Sequence, residues 1–210
     1  MGALSGERIR QRLIGDLPDD RLVVSPLLEP DEQLRDDQAS IDVRLGFEFA
    51  LIAPSLHASV DEFEANRSAS ASATLSTLYT KQYVPFGQRI VIHPHQFILA
   101  ATLEYLRLPK DLMAYVIGRS TWGRLGLIVA TAVGIQPGFA GTLTLELRNL
   151  GETPLSLYPG QVIAQLFFHA VEGATAAGLG QYSGAVDLLP RQMSSERSHK
   201  KIAALKSLRS

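Results

Sequence analysis

The stretch Gly118–Asn149, GRSTWGRLGLIVATAVGIQPGFAGTLTLELRN, carries both the fold signal and the chemistry of this chain. It opens on a polar, glycine-punctuated turn with Arg119, Ser120, Thr121 and Arg124, and Gly118, Gly123 and Gly126 there permit close backbone approach. A hydrophobic run and the Pro137-Gly138 turn follow. It closes on Thr142–Arg148, where odd positions are apolar and even positions polar, the period-two pattern of a strand with one buried face. Glu146 is therefore expected on the face opposite Leu143, Leu145 and Leu147.

The same rhythm extends outward in both directions. Ser40–Leu45 alternates as a half-buried strand that Gly46 is expected to stop, with Phe47–Ile52 continuing the sheet. Arg89–His93, Phe97–Leu108 and Leu112–Ile117 are β-rich runs separated by Pro94-His95 and Pro109-Lys110-Asp111. Leu155–Leu157 and Val162–His169 flank the Tyr158-Pro159-Gly160 turn. Many short strands at turn-marked intervals, without long helices between them, predict an all-β barrel or sandwich with minor helices. Ser5 is placed to cap a short amphipathic helix over residues 5–14, with Ile9, Leu13 and Ile14 on one face. Leu22–Val24 is a brief β run, and residues 29–38 read as a charged surface connection. The Ala/Ser-rich residues 56–77 read as a mobile loop or a short helix. The expected domain covers residues 1–190, and the basic residues 191–210 form a solvated tail or a lid over an anionic ligand.

Composition narrows the partners. The chain has 210 residues, 46% hydrophobic and 20% charged, enough for one domain with a core. A net charge of -1 gives no general attraction to nucleic acid or an anionic membrane. There is no apolar run of the ~18 residues a spanning helix needs, and the N-terminus has no signal-peptide core, so a cytoplasmic protein is the default expectation. Cysteine is absent, which removes disulfides and thiol nucleophiles.

The chemical groups have ordinary readings beside the sharper ones. Arginine offers a planar fork of donors that matches phosphate oxygens, and short hydroxyls add further donors. Surface turns also commonly hold Arg and Ser, so Arg119, Ser120, Thr121 and Arg124 alone leave the matter open. Glu146 is either a solvent-facing carboxylate paired with Arg148 or a general acid/base whose pKa is raised by partial burial. Trp122 suits stacking on a base or an oligomer contact, and His169 suits a packed or rim position. The five histidines show no metal-ligand spacing, and a chain without cysteine cannot build the Cys-containing zinc site of the metal-dependent base deaminases. No phosphate-binding Walker loop and no nucleophile elbow are present.

Several segments together resemble one family. GRSTWGRLGL, TAVGIQPGFAGTLTLELRNLG and PLSLYPGQVIAQLFF, preceded by SIDVRLGFEF and HPHQFILAATLEYLRLPKDLMAYVIGRS, are similar in order and spacing to the metal-independent dCTP deaminases, which share a fold with trimeric dUTPases. The resemblance covers most of residues 5–190. It implies a distorted β-barrel or jelly-roll-like fold, a homotrimer (possibly a hexamer) with sites between subunits, and a triphosphate that travels with Mg²⁺, without zinc. It implies that Arg119, Ser120, Thr121 and Arg124 hold the triphosphate, with Ser120 and Arg124 also taking part in catalysis. Thr131 and Ala132 match the segment that lines the base and holds the water. Thr144, Leu145 and Glu146 match the strand along the base and sugar, with Glu146 as proton shuttle. Gln165 and Tyr182 match nucleotide-contacting positions.

Three departures matter. The family's aspartate before Pro137-Gly138 is Gln136, which can hydrogen-bond a sugar but cannot act as a base. A Lys-Tyr pair reads Gln181-Tyr182, and a later glutamine reads Ala185. The expected function is hydrolytic deamination of dCTP, or a related cytosine nucleotide, to the uracil nucleotide and ammonia. The alternatives are a nucleotide-binding regulatory member without turnover, and a dUTPase or combined deaminase–diphosphatase.

Overall fold

The computed structural model describes residues 2–15, 21–52, 78–130 and 134–173. The expected loop at 56–77 and the basic tail lie outside them, so neither reading is decided.

Eleven strands and three short helices make up the described chain. Helix α1 spans Gly6–Ile14, capped as expected by the Ser5 side chain, which accepts from the Arg8 N–H. Ile9 is fully buried and Leu13 packs against the core, but Ile14 is 68% exposed. Five residues on from Ile9, it has rotated past the buried face. Strand β1 is Val23–Ser25. The presumed surface connection at 29–38 contains helix α2, Pro30–Gln33, and buries Gln33 and Leu34.

Strands β2 (Ile41–Ile52), β3 (Tyr79–Tyr83), β4 (Ile90–Ile92), β5 (Phe97–Arg107) and β6 (Leu112–Gly118) come next. Helix α3 is the single turn Ser120–Arg124. Strands β7 (Leu127–Val129), β8 (Gly134–Ile135), β9 (Ala140–Asn149), β10 (Leu155–Leu157) and β11 (Val162–Ala170) complete the fold. One nine-stranded sheet runs β7-β9-β5-β2-β11-β6-β8, with β1 on β5 and β3 on β2, while β4 and β10 form a separate pair. The sheet curls until β6 approaches β7. A Cβ at Gly118, closing β6, would lie 3.1 Å from Val129 Cγ2 on β7. The core enclosed in this way contains Phe49, Phe168, Leu145, Leu147 and Ile163, all fully buried. Among the described residues no helix is long and apolar enough to cross a membrane.

Strand β2 is the pivot of the fold. Its first half pairs with β11, from Ile41↔Leu166 to Arg44↔Val162. Its second half pairs with β5, from Leu45↔Thr102 to Leu51↔Ile98. Gly46 lies where it changes partner and, contrary to the sequence expectation, does not end the strand. A Cβ there would stand 2.9 Å from both Ala101 O and Thr102 O, so glycine is needed for backbone-to-backbone approach. Gly46→Ala should lower stability by about 1–3 kcal/mol through this clash, read as a lower urea midpoint. An unchanged midpoint would refute the close-approach role.

Candidate active site

Glu146 sits on β9 where the alternation placed it. Positions 143, 145 and 147 face the core, while Thr144 and Glu146 project from the other side. Across the sheet Glu146 faces Leu99 on β5, and Leu99 faces Ala50 on β2. Ala50, Leu99 and Ala101, with Tyr79 and Phe97 against them, form a second apolar cluster on this face. The carboxylate is half-buried beside an apolar wall, and loss of solvent raises its pKa above the usual carboxylate value. Tyr79 feels the same site: burial first, and then the charge of Glu146, raise its phenol above 10.0. Tyr79 was not singled out from the sequence, since nothing local shows that β3 lies on the same sheet as β9, with β5 and β2 between them.

The turn after β6 is a one-turn helix rather than a loop. Arg119 precedes it, and Ser120 and Thr121 occupy its first positions, where backbone N–H groups have no acceptor within the helix. Ser120, Thr121 and Arg124 are exposed and Arg119 is half-buried. Gly126, at φ 92, lets the chain turn under Gly151, whose N would lie 2.7 Å from an added Cβ, while Gly123 has open space around it. Trp122 is half-buried. It packs against the core and its Nε1 donates to Val162 O at 2.8 Å.

Arg119 is the best anchored of the four. Its N–H donates to Ile163 O on β11 at 3.3 Å. Its Nη1 donates to Asp42 Oδ2 on β2. Gln165, expected to touch nucleotide, donates its amide to Asp42 Oδ1 at 2.9 Å and lies 3.4 Å from Ser40 Oγ. Behind this cluster lies a buried network that the sequence reading missed. Glu104 is fully buried, accepts from the Arg44 N–H at 2.8 Å and from Gln33 Nε2 at 3.1 Å, and its pKa is pushed up to about 7 by burial, against those hydrogen bonds and the Arg44 charge. Gln33 Nε2 also donates to Asp42 O at 3.1 Å. Arg44 pairs through Nη2 with Glu29, while its Nη1 is 3.9 Å from Glu104 Oε1.

Within one chain the turn and the carboxylate do not converge. Gly118 meets the Val129 side chain, and Val129 is in register with core-facing Leu147, so the turn approaches β7 from its core side. Glu146 projects from the opposite face of β9, and its carbonyl accepts the Ala130 N–H at the end of β7 at 2.7 Å. Leu145 is fully buried, so its expected substrate contact cannot involve the side chain; pleating turns every second residue inward. Only its main chain, past the last β7 pairing at Leu147, remains for such a contact. Gln136 is exposed beside the Pro137-Gly138 turn, where its carbonyl accepts the Phe139 N–H at 3.2 Å. Thr131, Ala132, Gln181, Tyr182 and Ala185 lie outside the described residues.

Fold and site together define a curled all-β protein with an anion-type arginine turn and a carboxylate suited to proton transfer. The chain belongs to the dCTP deaminase-like family, whose model matches residues 3–171. A relative from Methanobrevibacter smithii named "dCTP deaminase, dUMP-forming" is 37% identical over 172 residues, covering 81% of each chain. A "dCTP deaminase" from Natronomonas pharaonis is 36% identical over 192 residues, covering 87% of each. Among solved structures, a 2'-deoxycytidine 5'-triphosphate deaminase from Agrobacterium tumefaciens matches with TM-score 0.57 at 24% identity, over 80% of this chain and 48% of that one. That likeness supports the fold.

Proposed function

We propose that this protein hydrolytically deaminates dCTP, with Glu146 moving the protons. Family membership supplies the substrate class. The observation that carries the reaction is Glu146 itself, half-buried against Leu99 with its pKa raised by desolvation. Such a carboxylate is a better base toward water than an exposed one and a ready acid once protonated. Water adds to C4 of cytosine as Glu146 takes its proton. Glu146 then protonates the ring nitrogen; it next takes the C4 hydroxyl proton and passes it to the amine, so that C4=O forms as the C4–N bond breaks and ammonia leaves. The sum is dCTP plus water giving dUTP plus ammonia.

Arg119, Ser120, Thr121 and Arg124 are assigned to the triphosphate, because guanidinium forks and hydroxyls match its oxygens. Mg²⁺ is assigned to the phosphates as part of the substrate, where it neutralises charge; among the described residues no group of three or more His, Asp or Glu is arranged to hold a metal. The opposed placement of turn and carboxylate in one chain favours sites shared between subunits, as in a homotrimer, with the turn of one copy serving the carboxylate of another.

The test is incubation of the purified protein with dCTP and Mg²⁺, with products separated by chromatography. A uracil nucleotide with ammonia is expected, and its absence would sink the proposal. The same chromatogram decides a second reading, release of dUMP and pyrophosphate. The relative from M. smithii bears the name dUMP-forming. Gln136, which cannot serve as a base, opposes that reading and favours dUTP as the product.

A further inference from the structure

Arg119 is held by a device that neither the family nor the relatives' names assign. Its side chain is 36% exposed, whereas Asp42, which accepts from its Nη1, is only 9% exposed. Asp42 is itself fixed from three directions. Gln165, its register partner on β11, donates to Oδ1 at 2.9 Å. Gln33 of α2 holds its carbonyl at 3.1 Å and at the same time binds Glu104. The backbone around it is held by β11, which pairs with β2 from Ile41 to Arg44. Arg119 also lines a cavity of about 390 Å³ together with Glu29, Glu32, Arg35 and Arg44. A guanidinium without its tether would have both room and two acidic groups to turn toward.

We infer that Asp42 is a positioning residue: it clamps one edge of the Arg119 fork so that the remaining donors are presented to the triphosphate. This rests on the proposed function and adds to it a residue outside the arginine–hydroxyl turn. Two effects of Asp42 on an anion oppose each other. Its charge repels phosphate, but that charge is already paired with Arg119, and Asp42 itself is largely removed from solvent. Ordering a long side chain that was free before binding costs affinity directly. Preorganisation is therefore the larger effect, and loss of Asp42 weakens binding.

The test is calorimetry of dCTP with Mg²⁺ on the full chain in a Glu146→Gln background, which keeps the nucleotide intact. Asp42→Asn is expected to weaken dCTP binding about tenfold, with little change for deoxycytidine. In an Arg119→Ala background the same change should have less than about a twofold further effect, because a residue acting through Arg119 has nothing left to position. Equal losses in both backgrounds, equal losses for dCTP and deoxycytidine, or tighter binding of dCTP would each overturn the inference. If Asp42→Asn does not fold, Gln165→Met, which releases the other side of the same carboxylate, should give a smaller loss in the same direction, and no loss overturns it. Absence of dCTP binding by the Glu146→Gln parent overturns the nucleotide reading and this inference with it. Binding that is normal but indifferent to Asp42 overturns the inference alone.

Discussion

Glu146→Gln is expected to lower kcat for dCTP about 100- to 10,000-fold, the usual contribution of a positioned acid–base group. Glutamine keeps the size and the hydrogen-bonding reach of the side chain but cannot accept the water's proton. Affinity for dCTP should change far less than kcat, since the carboxylate acts mainly in the transition state. The parent's pH profile should show its own signature. A base must be deprotonated to act, so kcat/KM falls as pH drops through the pKa of Glu146. Because burial raises that pKa above 4.5, the acid limb should lie above the ordinary glutamate range. Residual activity of the variant should lack this limb. Steady-state assays across pH check both points, and a variant as fast as the parent would remove Glu146 from the mechanism.

Glu104 should make the protein more stable in mild acid than at pH 8. Its folded pKa is about 7 against an unfolded value near 4.5, so the folded state holds a proton that the unfolded state has released. The stabilisation is fully present below about 4.5 and disappears as pH rises through about 7, amounting to about 3 kcal/mol across that window. Other carboxylates titrate in the same range, so the useful quantity is the difference between parent and Glu104→Gln. That difference in unfolding free energy, from urea titrations at several pH values, should decrease in favour of the parent as pH rises from 5 to 8. A difference that stays constant with pH would mean that Glu104 remains ionised throughout. Glu104 faces Arg44 and Gln33, which border the Asp42 cluster, so the measurement also reports on the support beneath Arg119.

Much of this was visible in the chain before any coordinates. Thr142–Arg148 announced a strand with Glu146 on its non-core face, and the structure agrees residue by residue. The Ser5 cap, the strands at 97–107 and 162–170 and the family were equally open to view. Glu104 left a signal that went unused: in Ile98-x-Ala100-x-Thr102-x-Glu104-x-Leu106 it is an acid on the inward side of an alternating strand, a position that demands a buried partner. Asp42 and Arg44 left none. Their alternation in Ser40–Leu45 reads as a solvated face, and only the α2 segment folding over it makes that face interior.

Local pattern thus determined what each element is: period two, turn residues and caps depend on neighbours a few positions away, and the arginine turn and the lone carboxylate belong to that level. Tertiary structure decided what each element touches. That Gly46 is a crossing point rather than a stop, that Trp122 packs inward, and that Gln165 serves Asp42 are consequences of a sheet curling until β6 meets β7. The same curl puts the turn and Glu146 on opposite sides of β7. Contacts between residues dozens of positions apart depend on how the sheet closes, and no local periodicity encodes that closure.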